Sequence, residues 1–267
     1  MDLELGGKTA IVTGGSRGIG KAIARQLALE GVDVAIAARG AEALEATARE
    51  LAEETGRKIV SAVADTGRDE DVRAMVQKAA DAFGRVDILV NSAARVSGGS
   101  TPDPKLDEIT DEAFWSDMNV KVMGYVRCAR AVAPFMQQQG WGRIINIGGG
   151  AARHSGSILA SARNVAVVAV TKNLADEFGP NGINVNAIHP GTTRTERTAG
   201  MIASRAERDG ISLEEAERRM GAGSNVRKII DAREIAYVVA FLASPKSIAI
   251  SGDVIGVGGG SPGPIFY

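Results

Sequence analysis

Short apolar runs rich in Val and Ile alternate along the chain with longer runs in which apolar residues recur every three or four positions. The short runs predict buried strands at residues 9–13, 32–38, 59–64, 86–90, 143–147, 183–188 and 253–257. The long runs predict helices at residues 21–30, 41–55, 69–83, 111–138, 165–178, 213–220 and 231–243. Glycine follows each of the first three helices because the position after a helix favours a left-handed backbone.

The order of these elements indicates the fold class. Strands and helices alternate, and the strands are apolar at successive positions instead of at every second one. This pattern is typical of a parallel sheet with both faces covered by helices and with right-handed connections. No Pro/Ser-rich linker divides the chain, so we expect one α/β, doubly wound domain over residues 1–267. The charged segment 192–225 is expected to be an insertion in that domain.

Composition excludes several classes of function. The 267 residues carry 31 basic and 32 acidic side chains, and a net charge of -1 gives no broad field to attract nucleic acid or an anionic membrane. One Cys and two His form neither a disulfide framework nor a good set of metal ligands, so no metal is expected. The acidic start is unlike a secretory signal, and the apolar run 165–170 is much shorter than the roughly 20 residues that span a bilayer. We expect a cytoplasmic protein without a membrane or nucleic-acid partner.

A glycine-rich loop joins the first predicted strand to the first helix. Gly14, Gly18 and Gly20 flank Ser16, Arg17 and Ile19. Glycine permits a tight turn and a close approach of a phosphate to the backbone, and the following helix offers free N–H groups at its N-terminus. The loop therefore predicts a nucleotide site. The alternative is an ordinary tight turn between strand and helix.

The end of the second strand bears on the choice of cofactor. A dinucleotide site for NAD(H) usually has an acid there to bind the ribose 2′-hydroxyl, but this chain has Ala37, Ala38 and Arg39. Arg39, with Arg17 in the glycine loop, could pair with a 2′-phosphate. NADP(H) is therefore favoured over NAD(H). The alternative for Arg39 is a solvated charge at the start of the next helix.

The spacing Gly14-x-x-x-Gly18-x-Gly20 resembles the short-chain dehydrogenase/reductase family, and similar motifs follow along almost the whole chain. The resemblance implies a Rossmann-type, seven-stranded sheet, a homodimer or homotetramer, and an oxidoreductase that acts on a small carbonyl or alcohol. The residues that the loop, the second strand and this resemblance together place at the cofactor are Gly14, Ser16, Arg17, Gly18, Ile19, Gly20, Arg39, Asp65, Thr66, Asn91, Ala93, Asn164, Pro190, Gly191, Thr193 and Thr195.

The family's catalytic residues are mostly missing. The resemblance implies Asn, Ser and a Tyr-x-x-x-Lys motif, in which Tyr donates a proton and Lys lowers the pKa of Tyr and holds the nicotinamide ribose. Counting back from the helix that contains residues 164–171 places Ala160 at the Tyr position and Asn164 at the Lys position. The Ser position falls among three glycines at 148–150. Asn119, which matches the family's active-site Asn, is the member that remains.

The loop before that helix offers replacement proton donors. His154 has a suitable pKa for general acid work, with a surface imidazole as the alternative, and Ser161 lies beside the vacant Tyr position. Arg163 is expected to face solvent or to bind an anionic substrate. His189 is expected to be strand-end structure instead of a catalyst, and Cys128 a buried thiol.

The three tyrosines lie away from the family's catalytic position. Tyr125 and Tyr237 are expected to be packing residues, and Tyr267 ends a Gly/Pro-rich tail that could reach a neighbouring subunit's site. Two functions remain open at this point. One is an NADP(H)-dependent oxidoreductase with an altered proton donor, and the other is a catalytically inactive NADP(H)-binding or sensing protein. Arginines in the segment 192–225 suit an anionic substrate, although a solvated charged helix is the alternative: Arg197, Arg205 and Arg208, beside Glu196.

Overall fold

A seven-stranded parallel sheet forms the centre of the protein in the computed structural model, which describes residues 1–94 and 104–263. The strand order is β3-β2-β1-β4-β5-β6-β9. The strands are β1 (Thr9–Thr13), β2 (Asp33–Ala38), β3 (Ile59–Val63), β4 (Ile88–Asn91), β5 (Gly142–Ile147), β6 (Ile183–Pro190) and β9 (Val254–Val257). A separate two-stranded parallel pair consists of β7 (Thr193–Arg194) and β8 (Ile230–Asp231).

Helices cover both faces of the sheet, as the apolar strands predict. They are α1 (Gly18–Leu29), α2 (Ala41–Thr55), α3 (Asp69–Phe83), α4 (Asp111–Met118), α5 (Gly124–Gln139), α6 (Ile158–Phe178), α7 (Thr198–Asp209), α8 (Leu213–Gly221) and α9 (Ala232–Ala243). Successive residues of β1 enter opposite cores, because side chains of a strand alternate between faces. Val12 packs with α1, α2 and α9, whereas Ile11 packs with α3 and α5. None of the helices in the described ranges is both long and apolar enough to cross a bilayer.

The predicted helix ends agree with the backbone angles. Gly31, Gly56 and Gly84 have φ values of 88°, 66° and 74°, so each adopts the left-handed conformation expected after a helix. The helix predicted at 21–30 begins earlier, at Gly18, directly in the glycine loop. The predicted helix at 213–220 corresponds to α8.

The largest difference from the predicted elements is inside the helix expected at 111–138. That segment is divided into α4 and α5 by a π-helical turn, Asn119–Met123. Such a turn adds residues to one helical turn and changes the direction of the side chains around it, and it is frequent at functional sites. Gly124, directly after this turn, packs closely on Thr66: a Cβ there would stand 2.9 Å from the Thr66 Cβ.

The helix predicted at 165–178 also starts earlier than its apolar pattern indicates. It begins at Ile158, and Ser157 caps it by accepting a hydrogen bond from the Ala160 N–H at 3.3 Å. Consequently Ala160 and Asn164 lie in the first two turns of α6. Both side chains face the protein interior, with exposed fractions of 9% and 3%.

Candidate functional site

The candidate site lies at the carboxyl edge of the sheet. The strand order reverses between β1 and β4, and ligands of open α/β sheets bind at such a switch point. The glycine loop follows β1, while the segment 148–157 and the segment 191–197 follow β5 and β6 on the same edge. The fold therefore brings together three loops that the sequence analysis identified separately.

Steric limits explain the glycines of the first loop. Gly14 has a φ of 69°, and a Cβ there would stand 2.9 Å from the Ser92 carbonyl oxygen. At Gly20 a Cβ would stand 2.2 Å from the Gly14 carbonyl oxygen. Side chains are thus excluded at both positions, and the tight turn presents the N-terminus of α1 toward the edge of the sheet.

The N-terminus of α1 binds an anion from the chain itself. The Glu196 carboxylate accepts hydrogen bonds from the Gly18 N–H at 3.0 and 3.3 Å. Arg17, the N-cap residue, supplies no side-chain cap, and the first turn of α1 contains no acid. A carboxylate in this place shows that the free N–H groups and the positive end of the helix dipole accept a negative group. The loop therefore fits a cofactor with a pyrophosphate.

The two arginines predicted to select NADP(H) are both exposed. Arg17 lies in the glycine loop, and Arg39 follows β2 directly. The glycine loop is fixed by Thr47 of α2, whose hydroxyl donates to the Ser16 carbonyl oxygen at 3.0 Å. Ile19 is half-buried in the first turn of α1. Both arginines are therefore accessible to solvent.

Two predicted cofactor residues, Thr66 after β3 and Asn91 at the end of β4, form side-chain hydrogen bonds within the protein. Thr66 is buried, and its hydroxyl donates to the Val120 carbonyl oxygen at 3.0 Å. Asn91 is fully buried and donates from Nδ2 to Asn146 Oδ1 at 2.9 Å. Both side chains are therefore bonded within the protein, and the place of these two residues at the cofactor stays a prediction.

Asp65 and Ala93 lie closer to the edge of the sheet. Both are half-buried. Asp65 Oδ1 accepts from the Gly67 N–H at 2.9 Å, and the Ala93 N–H donates to the Thr13 hydroxyl at 3.1 Å. These bonds fix the loops that border the glycine turn, and they leave the Asp65 carboxylate at a position from which it could meet a ligand.

The loop after β6 borders a cavity of about 830 Å³. A Cβ at Gly191 would stand 2.9 Å from the Gly258 Cα, so this strand end packs closely on the end of β9. The Thr195 N–H donates to the Thr198 hydroxyl at 2.8 Å, which fixes the segment at the start of α7. The residues lining the cavity include Gly150, His154, His189, Pro190, Gly191 and Thr193.

His154 and Ser161, the predicted replacement donors, lie together. The Ser161 hydroxyl donates to the His154 carbonyl oxygen at 3.1 Å. The His154 side chain is exposed, with Nε2 3.4 Å from the Ser261 hydroxyl. His154 borders both the cavity described above and a neighbouring one of about 810 Å³ that Ser161 also lines. The imidazole is therefore accessible from both cavities.

The amide group of Asn119 is bonded within the protein. Its Nδ2 donates to the Gly67 carbonyl oxygen at 3.1 Å, and its Oδ1 accepts from Arg127 Nη2 at 2.8 Å. These bonds join the start of the π-helical turn to the loop after β3. In this arrangement Asn119 holds two loops together, and its catalytic role stays a prediction.

The glycines at 148–150 accommodate larger side chains that pack on them. A Cβ at Gly148 would stand 2.4 Å from His189 Nδ1, and a Cβ at Gly149 would stand 2.9 Å from Asn164 Nδ2. A serine at either position would force its neighbour to move. The absence of Ser here is therefore consistent with the presence of His189 and Asn164.

Lys121 is a residue of this region that sequence reasoning missed. Its side chain is buried, and Nζ donates to the Gly148 carbonyl oxygen and to Asn164 Oδ1, both at 2.9 Å. Burial lowers the pKa of Lys121 to about 7; the neighbouring Arg163 lowers it as well, and Asp117 opposes the shift. In the sequence, Lys121 is a single lysine between two valines in a predicted helix. The π-helical turn that directs its side chain inward cannot be recognised from the spacing of apolar residues.

The prediction for Arg163 was wrong. Instead of facing solvent or a substrate, its guanidinium is buried and pairs through Nη1 with both carboxylate oxygens of Asp117, at 2.6 and 2.8 Å. The reason is tertiary: α4 packs against the first turns of α6, so the two charges meet between the helices. This ion pair lies beside Lys121 and belongs to the interior of the site.

His189 is at the end of β6, as predicted, and is buried. Its Nδ1 accepts from the Gly149 N–H at 3.1 Å. Burial, together with the charges of Arg153 and Lys121, lowers the pKa of His189 to about 4. The imidazole is therefore neutral at neutral pH and supports the backbone of the glycine run.

Tyr125 is a packing residue, as predicted: it is buried and its hydroxyl donates to the Ile147 carbonyl oxygen at 2.9 Å. The prediction for Tyr237 was wrong, because this side chain is 52% exposed on α9. Cys128 is buried as expected, and burial raises the pKa of its thiol to about 12. Tyr267, proposed to reach a neighbouring subunit, lies outside the described residues.

Comparison with known proteins adds to this geometry. A family model described as Enoyl-(Acyl carrier protein) reductase matches residues 14–261. The short-chain reductase protein NovJ of Streptomyces niveus is 36% identical over 254 residues, which cover 95% of this chain and 93% of that protein. The NADPH-dependent reductase BacG of Bacillus subtilis is 31% identical over 257 residues, covering 95% of this chain and 97% of that protein.

The structural comparison extends over nearly the whole chain. L-sorbose reductase from Gluconobacter frateurii, solved with NADPH and L-sorbose, has a TM-score of 0.92 and 29% identity, and covers 99% of this chain and 100% of that one. The predicted single-domain α/β fold with a doubly wound, seven-stranded parallel sheet is confirmed. The predicted preference for NADP(H) is confirmed by relatives that are named for NADPH or solved with it.

Proposed function

This chain belongs to the short-chain dehydrogenase/reductase family, and we propose that it is an NADP(H)-dependent oxidoreductase acting on a small carbonyl or alcohol. The observation that carries the proposal is the anion-accepting N-terminus of α1, which lies on the same sheet edge as the 830 Å³ cavity. An anion site and a cavity on one edge of the sheet suit a dinucleotide beside a small substrate.

The cofactor would be held mainly by backbone groups. The glycine loop would bind the pyrophosphate in the place that the Glu196 carboxylate takes, and the exposed Arg17 and Arg39 would pair with a 2′-phosphate. When bound, NADP(H) supplies or accepts the hydride. Asp65 would approach the adenine, and the strand end at Pro190 and Gly191, with Thr193 and Thr195, would border the nicotinamide.

We assign Ala160 and Asn164 to the positions at which the family has Tyr and Lys. Ala160 has no proton to give, so reduction of a carbonyl needs another donor. His154 is favoured because its exposed imidazole borders both cavities, and the nearby Ser161 hydroxyl is the second candidate. Asn119, whose amide is bonded to Gly67 and Arg127, would position this region.

The segment 192–225 would cover the substrate. Met201 and Met220, on α7 and α8, line the cavity, so this insertion forms one of its walls. Of its arginines, Arg205 and Arg208 both lie near Asp209, which favours the solvated alternative over a dedicated anion site. A homodimer or homotetramer in the cytoplasm remains part of the proposal, and sedimentation of the purified chain tests the assembly.

The test combines binding with turnover. Purified protein is titrated with NADPH and with NADH, followed by nicotinamide fluorescence, and is then offered ketones, sugars and thioester carbonyls while the absorbance of the reduced nicotinamide is recorded. The expected result is tighter binding of NADPH than of NADH, with reduction of at least one carbonyl. Tight NADPH binding with no reduction of any carbonyl would contradict the proposal and favour an inactive binding protein. If a carbonyl is reduced, replacement of His154 and Ser161 by Ala should lower kcat by about 100-fold or more, as expected when either residue is the donor.

A further inference from the structure

The least expected group in the interior is the ammonium of Lys121. It lies in the π-helical turn between α4 and α5, with 4% of the residue exposed. Its Nζ is held by two acceptors from different elements, the Gly148 carbonyl oxygen at the end of β5 and Asn164 Oδ1 on α6. The lysine thus connects three elements of the candidate site.

We propose that Lys121 is a positioning residue that supplies the positive charge of the active site by acting through Asn164. This inference rests on the proposed function, since it concerns the same site. In the family the charge belongs at position 164, and in this chain a neutral amide is there with an ammonium 2.9 Å behind it. The positive charge is therefore on the neighbouring π-helical turn. The Asn164 amide contacts both this charge and the glycine run at 148–150.

Packing supports a functional over a purely structural role. A buried ammonium is costly, and an apolar residue would fill the same space without a desolvation penalty. The glycines in front of it leave room for the arrangement: a Cβ at Gly149 would stand 2.9 Å from Asn164 Nδ2. The Asn164 amide therefore lies directly behind the backbone that borders the cavity.

The charges around Lys121 come from each neighbouring element. Asp117 on α4 favours the ammonium, whereas Arg163 on α6 disfavours it. His189 on β6 is neutral at neutral pH, with a pKa of about 4, and Arg153 contributes a further positive charge beside it. In this environment a lysine can change protonation near neutral pH, with the ammonium form present below its pKa of about 7.

Two variants test the charge of Lys121: the first removes it, and the second places an ammonium at position 164 instead. Lys121→Gln keeps a polar side chain without charge, and the double variant Lys121→Gln with Asn164→Lys places an ammonium where Asn164 Oδ1 now meets Nζ. Lys172→Gln is the matched control, because Lys172 is an exposed lysine on α6 paired with Asp176 at 2.8 Å. Each protein is assayed for kcat and KM across pH, for NADPH affinity and for thermal unfolding.

We expect Lys121→Gln to lower kcat by on the order of 100-fold with little change in KM, the effect of losing an electrostatic group used in the transition state. In the unaltered protein, kcat should fall as pH rises through about 7, because deprotonation removes the charge. This fall should persist in His154→Ala, which removes the other candidate proton donor, and it should be absent when Lys121→Gln is added to that variant. The double variant should recover about tenfold or more of the lost kcat, and Lys172→Gln should match the unaltered protein.

Three results would overturn the proposal. One is a Lys121→Gln protein whose kcat and pH profile equal those of the unaltered chain. Another is a double variant that recovers thermal stability but not kcat, which would indicate a structural lysine. If Lys121→Gln does not fold, Lys121→Arg is made in the His154→Ala background, where it keeps a charge at all accessible pH and the other candidate donor is missing; a fall in kcat near pH 7 that persists there would also overturn the proposal.

Failure of the proposed function is distinguishable from failure of this inference. If the unaltered protein binds NADPH but reduces nothing, the reductase proposal fails, and NADPH affinity becomes the readout for Lys121. We then expect about fivefold weaker binding in Lys121→Gln, equivalent to about 1 kcal/mol, with recovery in the double variant. Equal affinities in all three proteins would overturn the inference.

Discussion

The candidate site has two parts that differ in construction. The phosphate end is the glycine loop with the N-terminus of α1, and the chemical end is the buried group formed by Lys121 and Asn164. At the phosphate end, the glycine loop and the N-terminus of α1 present backbone N–H groups, and the charged side chains nearby, Arg17, Arg39 and Glu196, are exposed. At the chemical end, Lys121 and Asn164 are buried, and their side chains are hydrogen-bonded to each other. A backbone site depends on the absence of side chains, whereas a side-chain site can be rebuilt with other residues at other positions.

The difference also decides how strongly each charge is coupled to stability. Exposed ion pairs contribute little because water screens them. The Arg163–Asp117 pair beside Lys121 has both side chains more than nine-tenths buried, so removing one partner leaves a desolvated charge. We therefore expect removal of a charge at the chemical end to affect folding, and removal of a charge at the phosphate end to affect mainly cofactor binding.

The largest effect is expected for Asp117→Asn. This change keeps the shape of the side chain and leaves the Arg163 guanidinium buried without its carboxylate, which should lower the free energy of unfolding by about 3–5 kcal/mol. Denaturant unfolding measures the change. Asp176→Asn, at an exposed pair with Lys172, is the control and should change stability by less than about 1 kcal/mol. Equal effects of the two variants would contradict the contrast between the ends.

Gly20→Ala tests the backbone construction of the phosphate end. A Cβ there would stand 2.2 Å from the Gly14 carbonyl oxygen, so the loop must shift, and we expect a loss of about 1–3 kcal/mol in stability together with weaker NADPH binding. Calorimetric unfolding and an NADPH titration measure the two effects. Gly200→Ala on α7, where a Cβ meets nothing within 4 Å, should keep NADPH binding and leave stability equal or slightly higher. An NADPH affinity unchanged by Gly20→Ala would show that the loop does not bind the cofactor.

Arg39→Ala tests the side-chain part of the phosphate end. Loss of one charged hydrogen bond to a 2′-phosphate should weaken NADPH binding by about tenfold and leave NADH binding unchanged. Arg49→Ala, an exposed arginine on α2, provides the comparison and should alter neither affinity. Parallel losses for both nucleotides in Arg39→Ala would assign Arg39 to another part of the ligand.

The smallest effect is expected for Glu196→Gln. Its carboxylate occupies the N-terminus of α1, where the proposed cofactor phosphates would bind, so neutralising it should tighten NADPH binding by about two- to fivefold. The gain should shrink at high salt. Glu207→Gln, an exposed acid on α7, controls for the change in net charge. Weaker binding in Glu196→Gln would show that the carboxylate supports the cofactor site.

Patterns that depend on neighbouring residues were predicted well. The seven strands of the main sheet lie where the apolar runs indicated, and the glycine loop leads into α1. Each of these features depends on local alternation of apolar and polar residues or on the conformation of a glycine. A short stretch of sequence is therefore enough to predict it. Tyr237 shows the limit of such reasoning, because an aromatic on an amphipathic helix was expected to pack and is instead 52% exposed.

The sequence by itself determined the doubly wound fold and the glycine turn that leads into α1, because both follow from residue types at fixed spacing. The tertiary structure decided which side chains meet. Glu196 accepts a hydrogen bond from Gly18, 178 positions away along the chain. Lys121 is hydrogen-bonded to Asn164 on another helix. Arg163 is paired with Asp117 instead of facing solvent. These contacts carry no local signal, since they arise only when helix packing and a π-helical turn set the distance and direction between elements.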